Sequence, residues 1–132
     1  MSDARAKSMR TPLGRVRNLG AAHSGTSDFW RQRITAVAMT LLIVPVVVVV
    51  IMLLGRNQVG AAQILGSLPI ALIMLLFVIA SCWHMKIGMQ VVIEDYVHSE
   101  PLKLVAIMAN NFFAVTVALA SIYALIKLST GV

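Results

Sequence analysis

The sequence contains little of what most enzymes and secreted domains depend on. Cys82 is its single cysteine, which excludes an intrachain disulfide, a cysteine-based zinc cluster and the C-x-x-C-H motif of covalent haem attachment. Only 12% of the 132 residues are charged, and just five are acidic. A chain this short and this uncharged has no room for a second, water-soluble domain, so any extensive catalysis in water would come from another polypeptide.

Apolar residues dominate instead. They make up 59% of the chain, and the mean hydropathy is +0.88, which is too apolar for a soluble domain. Three apolar runs, at about residues 34–54, 64–93 and 102–128, are each long enough to cross roughly 30 Å of hydrocarbon as helices. Because a lone strand would leave its backbone groups unpaired in lipid, the sequence predicts an all-α membrane protein with three transmembrane helices.

The basic residues are concentrated before the first apolar run. Seven of the eleven lysines and arginines lie there, which is typical of membrane topology rather than of nucleic-acid binding. We expect residues 1–28 to form an irregular polar arm on the cytoplasmic side, and residues 29–132 to form the membrane domain, with the C-terminus on the opposite side. This favours a bacterial inner membrane. A mitochondrial transit peptide in the arm, and hence the mitochondrial inner membrane, is the alternative.

His84 follows twenty almost wholly apolar residues in the second predicted span. An ionisable side chain at this depth favours a functional role; the alternative is a neutral imidazole bonded to a neighbouring helix. Ala80, Ser81 and Gly88 share its helical face. Their small side chains leave a flat slot that fits a porphyrin lying edgewise, although they would also suit a helix-packing seam.

A six-coordinate haem at His84 would need a second axial ligand. His98 is fourteen residues further on, about 20 Å along a continuing helix, and His23 belongs to the arm. The second ligand would therefore come from a partner chain.

Other polar side chains lie at the predicted cytoplasmic edge. Asp95 is eleven residues beyond His84, about 20° away in helical phase and about 16 Å along the axis, with Tyr96 beside it. A phenol and a carboxylate there could bind a carbonyl oxygen of a lipid-soluble ligand and relay protons, or could simply be an interfacial tyrosine and acid. Arg31 and Arg33 precede the first span, where they suit haem propionates, a partner's carboxylate or topology anchoring.

Two segments of the chain carry motifs. The stretch from residue 82 to residue 96 contains the pattern H-x3-G-x6-D-Y, and the stretch from residue 27 to residue 38 contains the pattern aromatic-x-Q-R-x-T-A. With the size, the three spans and the basic N-terminus, these motifs resemble the smaller hydrophobic membrane anchor subunits of succinate dehydrogenase, respiratory complex II. The resemblance covers the chain from about residue 20 to its end.

The resemblance implies a membrane anchor that serves the tricarboxylic acid cycle and aerobic electron transport but catalyses nothing by itself. It implies that His84 is an axial ligand of haem b, and that Tyr96 hydrogen-bonds ubiquinone with Asp95 beside it. Arg33, with Arg31 close by, would lie near the haem propionates or the quinone pocket. The implied partners are the larger hydrophobic anchor subunit, which gives the second haem ligand, an iron–sulfur subunit, a flavoprotein subunit and membrane lipid. No nucleic acid is expected.

Three other interpretations stay open. His84, Lys86, Glu94 and Asp95 could form a polar pathway in a small transporter or proton-relay protein. The chain could equally anchor a fumarate reductase, since the direction of the reaction is not legible in these residues. It could also be a purely structural assembly subunit, in which the polar side chains serve only helix contacts.

Overall fold

The computed structural model describes residues 23–131, and within that range the chain is helical and contains no strand. The helices are α1 (His23–Leu53), α2 (Gln58–Gly66), α3 (Leu68–Tyr96) and α4 (Glu100–Thr130). Three stretches of the described residues are long and apolar enough to cross a membrane: Thr26–Leu53, Leu68–Tyr96 and Glu100–Thr130. The predicted all-α fold with three membrane spans is confirmed.

Helix α1 begins earlier than the sequence predicted. Residues 23–28, which were expected to belong to the irregular arm, form its first turns. These residues lack an apolar period, but they also lack proline, and extending an existing helix costs far less than starting one. The rest of the predicted arm, residues 1–22, and the transit-peptide alternative lie outside the described residues.

The second predicted span, residues 64–93, is divided into two helices at Ser67. Ser67 has extended backbone angles, φ −68° and ψ 135°. Pro69, at the start of α3, cannot donate the backbone bond that a continuous helix would make to Leu65. The Ser67 hydroxyl and backbone N–H both donate to the Ile64 carbonyl, at 2.7 and 3.2 Å, and so close the end of α2.

Helix α2 lies where the sequence left a loop, between the first two spans. It follows Asn57, whose side-chain oxygen accepts a hydrogen bond from the Gly60 N–H at 2.8 Å and so caps the helix. At the other end, Gly66 lies against the backbone of α4: a Cβ on this residue would be 2.5 Å from the Leu128 carbonyl oxygen. A glycine at this position is what permits so close an approach of α2 and α4.

Helix α3 continues to Tyr96, beyond the predicted end of the span at residue 93. Asp95 and Tyr96 are therefore in its last helical turn. Ser99 then takes the N-cap position of α4, and Gly131, with φ 71°, follows the last turn of that helix.

Helix α3 is the central helix of the membrane domain. It packs against α1 and against α4, whereas α1 and α4 do not contact each other within residues 23–131. We call this arrangement the helix row. Asn110 of α4 is buried in the row and donates from Nδ2 to the Lys86 carbonyl oxygen of α3 at 2.9 Å. The buried apolar side chains of the described residues are few: Val46, Val49, Ala71, Ile87, Ala114 and Leu125. Most large apolar side chains therefore face outward, toward lipid or a partner chain.

Candidate functional site

A cavity of about 440 Å³ lies between the first half of α1 and the second half of α3. The two helices are antiparallel, so residues early in α1 lie beside residues late in α3. The lining side chains are polar or aromatic on the α1 side, except for one alanine, and mixed on the α3 side: Asp28, Phe29, Gln32, Arg33, Ala36, His84, Ile87, Gln90, Val91 and Glu94. The cavity thus brings the predicted His84 and Arg33 together.

His84 is half-buried and is held by α1 through both nitrogens of its ring. Its Nδ1 is 3.1 Å from the Thr35 hydroxyl oxygen, and its Nε2 is 3.3 Å from the Gln32 side-chain nitrogen. Gln32 and Thr35 are three residues apart, which places them on the same face of α1, about one turn from each other. The imidazole therefore spans one turn of α1.

The hydrogen bonds of Thr35 decide which ring nitrogen carries the proton. Its hydroxyl lies 2.9 Å from the Arg31 carbonyl oxygen and 3.0 Å from the Gln32 carbonyl oxygen, and it donates its single proton to this pair. Toward His84 the same oxygen can then only accept, so Nδ1–H donates to it. The Nε2 atom keeps its lone pair and accepts a hydrogen bond from the Gln32 amide.

An imidazole that lines a cavity, and whose Nε2 lone pair is engaged only by a side-chain amide, fits a metal that brings most of its own ligands. The described residues contain no group of three or more His, Cys, Asp or Glu side chains that could hold a bare metal ion. A haem needs only axial ligands from the protein. The Gln32 side-chain oxygen is buried and has no hydrogen-bond partner among the described residues, so this amide is poorly satisfied where it lies. Moving it would free Nε2, and the residues therefore fit a haem.

Gly88 and Ser81 lie one turn to either side of His84. Gly88 does not line the cavity, but a Cβ on it would be 3.3 Å from the side-chain nitrogen of Gln32, so the missing side chain leaves room for this amide. The Ser81 hydroxyl is buried and has no hydrogen-bond partner within residues 23–131, and Ser81 does not line the cavity. The predicted packing of a haem by these two residues remains a prediction.

The two arginines have different surroundings. The Arg31 guanidinium pairs with the Asp28 carboxylate at 3.7 Å and does not line the cavity. Arg33 does line it, and its guanidinium lies over the Phe29 ring, 4.5 Å from the centroid. Arg33 therefore has the position from which an acidic group in the cavity could be bound.

Asp95 and Tyr96 do not line the cavity on this chain. Both are exposed at the end of α3, and Tyr96 is 78% exposed. Glu94 lines the cavity instead, and it accepts a hydrogen bond from Gln90 Nε2 at 2.8 Å. A straight helix puts Asp95 nearest the His84 face, whereas the cavity follows α3 through Ile87, Val91 and Glu94, which lie to one side of that face.

Gln32 and Thr35 are the functional residues that sequence reasoning missed. Both belong to the quoted aromatic-x-Q-R-x-T-A segment, but neither received a role. The sequence feature that could have identified them is a pair of polar side chains, three residues apart and so on one helical face, at the start of an apolar span.

The sequence profile described as "Succinate dehydrogenase/Fumarate reductase transmembrane subunit" matches residues 7–118. The chain belongs to this family. A Paracoccus denitrificans protein named succinate dehydrogenase hydrophobic membrane anchor subunit is 34% identical over 121 residues, covering 92% of this chain and 93% of the relative. A Rickettsia bellii protein of the same name is 36% identical over 118 residues, covering 87% and 92%.

A more distant relative, the succinate dehydrogenase membrane anchor subunit of Reclinomonas americana, is 25% identical over 97 residues, covering 71% of this chain and 81% of the relative. No solved structure matches the chain significantly. Family membership and the three apolar helices together make this succinate dehydrogenase/fumarate reductase family member a multi-pass membrane protein.

Proposed function

We propose that this chain is the membrane anchor subunit of a succinate:quinone oxidoreductase, in which it supplies one axial ligand of haem b and part of the ubiquinone-reduction site. The observation that carries the proposal is the half-buried His84, which lines the 440 Å³ cavity and whose Nε2 is hydrogen-bonded, among the described residues, only to the Gln32 side chain. The names of the Paracoccus and Rickettsia relatives support the assignment to succinate dehydrogenase. The chain would thus serve the tricarboxylic acid cycle and aerobic electron transport.

His84 would coordinate the haem iron through Nε2 after the Gln32 amide moves aside. Arg33, which lines the cavity beside Phe29, would bind a haem propionate through its guanidinium, with Arg31 as a second cation nearby. Bound haem supplies one-electron redox chemistry, and the protein sets its orientation and surroundings. The position of His84, the one histidine among the residues that line the cavity, agrees with these roles.

Tyr96 and Asp95 would form this chain's part of the quinone site. The Tyr96 hydroxyl can donate a hydrogen bond to a quinone carbonyl oxygen, and the Asp95 carboxylate beside it can accept one and pass on a proton. Their exposure at the end of α3 agrees with a pocket whose other walls belong to a partner chain.

The proposed partners follow from what the chain lacks. One imidazole leaves the haem short of an axial ligand, which the larger hydrophobic anchor subunit would give. Succinate oxidation would take place in a flavoprotein subunit, with electrons passing through an iron–sulfur subunit, so this chain is not an enzyme by itself. We place its N-terminus in the cytoplasm of a bacterium and the helices in the inner membrane, because seven of the eleven basic residues precede the apolar part of α1 and the relatives include bacteria.

The haem assignment is tested with the complex purified in mild detergent. His84→Ala should abolish the reduced-minus-oxidised cytochrome b spectrum, while flavin and iron–sulfur content show that the complex still assembles. His98→Ala is the matched control, since His98 is exposed after the end of α3 and should keep the spectrum. Unchanged haem content in His84→Ala would refute the assignment and favour a transporter or a purely structural subunit.

The quinone assignment is tested with Tyr96→Phe, which removes one hydroxyl from an exposed ring. We expect slower succinate:quinone reduction with a raised quinone KM, while succinate oxidation with a soluble acceptor dye is unchanged. If the quinone kinetics of Tyr96→Phe equal those of the wild type, Tyr96 is not in the site.

Fumarate reductase anchors share the family description. Comparing the rates of succinate oxidation and fumarate reduction by the same complex decides between a succinate dehydrogenase and a fumarate reductase.

A further inference from the structure

Thr35 makes a contact with His84 that neither the family description nor the predicted site includes. Among the described residues, only Gln32 and Thr35 hydrogen-bond the His84 ring, at Nε2 and Nδ1 respectively. Iron coordination at Nε2 would displace Gln32. Thr35 would then be the one side chain of residues 23–131 that still holds the ring.

The Thr35 oxygen is well placed to keep this role after the ligand binds. Its own proton is directed at the carbonyls of Arg31 and Gln32, so the rigid backbone of α1 fixes both the position of the oxygen and the lone pair that faces His84. A histidine that donates its Nδ1–H to a fixed acceptor has one tautomer and one ring orientation, and it becomes a more basic ligand.

We propose that Thr35 is the positioning residue of the haem ligand: it fixes His84 in the Nδ1–H tautomer, aims Nε2 into the cavity and strengthens it as a donor to iron. This inference rests on the proposed function, in which His84 binds haem. A more basic axial imidazole favours the ferric over the ferrous state, so the Thr35 contact lowers the midpoint potential of the haem. It also slows haem loss, because a ring held in the binding orientation loses no orientational freedom on binding.

The test compares three variants of the purified complex. Thr35→Val keeps the shape of the side chain but removes the hydroxyl, and Thr35→Ser keeps the hydroxyl. Thr40→Val is the matched control: its hydroxyl donates to the Ala36 carbonyl at 2.9 Å on the same helix and does not touch His84. The measurements are the midpoint potential of the haem, by redox titration of its spectrum, and the rate of haem transfer to apomyoglobin.

We expect Thr35→Val to raise the midpoint potential and to speed haem loss on the order of tenfold, the low end of the effect of losing such a partner. A tenfold loss of ferric preference corresponds to about 59 mV for one electron, and the shift should stay below this because a hydroxyl is a neutral acceptor. Thr35→Ser and Thr40→Val should behave like the wild type. If Thr35→Val does not assemble, Thr35→Ala carries the same comparison.

Each other outcome overturns the inference. Wild-type values in Thr35→Val would mean that the hydroxyl does not act on His84. Thr35→Ser keeps the hydroxyl and Thr35→Val keeps the methyl group, so equal effects of the two would assign the effect to altered packing at position 35 and not to the hydroxyl. An equal effect of Thr40→Val would assign it to α1 in general. If His84→Ala loses haem while Thr35→Val is normal, only this inference fails; if His84→Ala keeps its haem, the proposed function fails first.

Discussion

Replacing Gly66 with alanine sets two opposing effects against each other. Alanine is favoured over glycine by about 1 kcal/mol in a helix interior, and by no more than this at Gly66, the last residue of α2, so propensity alone predicts a more stable α2. The structure predicts the opposite. The added Cβ would lie 2.5 Å from the Leu128 carbonyl oxygen, 3.2 Å from its carbonyl carbon and 3.4 Å from Ser129 Cα.

All three atoms belong to the backbone of α4, so no side-chain rotation can relieve the overlap. Restoring ordinary contact requires α2 and α4 to separate by about 1 Å at this point. Overpacking of a closely packed contact costs about 1–3 kcal/mol, and a backbone clash belongs in the upper part of that range. After subtracting the gain in helix propensity, we expect Gly66→Ala to destabilise the fold by about 1–2 kcal/mol.

Gly60→Ala is the matched control, because it makes the same change in the same helix. Its Cβ would lie 3.2 Å from the Asn57 side-chain oxygen, which can shift by a few tenths of an ångström. We expect this variant to be neutral or slightly more stable. Thermal unfolding of the complex in mild detergent measures both variants. A Gly66→Ala complex as stable as Gly60→Ala would refute the close packing of α2 against α4.

Two further predictions concern the seams on either side of α3. Gly88→Leu should lower haem content several-fold, because its side chain starts 3.3 Å from the amide of Gln32, which lines the cavity, and its further carbons would crowd that amide; Gly88→Ala should keep the haem, since the amide can yield to one methyl group. Equal spectra in both variants would contradict this. Asn110→Ala removes the 2.9 Å hydrogen bond to the Lys86 carbonyl and should weaken the α3–α4 contact by about 0.6 kcal/mol, and by at most about 1.7. Thermal unfolding measures this loss, and an unchanged midpoint would show that the bond contributes nothing.

Hydropathy predicted the membrane spans because burial in lipid depends on composition along the chain, which a single sequence records directly. The break at Ser67 was missed because hydropathy records composition and not backbone conformation. The apolar run continues through Ser67 from Ile64, and a proline at position 69 is compatible with the first turns of a helix. The start of α1 at His23 was missed because polar residues without a period show no difference between a helix and a loop.

The site was predicted only as far as one helix allows. His84 was identified because an ionisable residue in an apolar run is costly and therefore informative. Its partners Gln32 and Thr35 are 52 and 49 residues away along the chain, and no spacing rule connects two separate helices. The same limit explains Glu94: helical phase favoured Asp95, and only the packing of α1 against α3 selects its neighbour.

In the helix row, α3 lies between α1 and α4 and keeps the two helices apart. Since α1 and α4 do not touch within the described residues, a strain applied to one can reach the other only through α3 or the short helix α2. Within residues 23–131, α1 packs on the face of α3 that holds His84, and α4 packs on the opposite side. Changes in the outer surface of α4 should therefore leave the imidazole undisturbed, and this edge is free to diversify toward new membrane neighbours while the ligand stays in place.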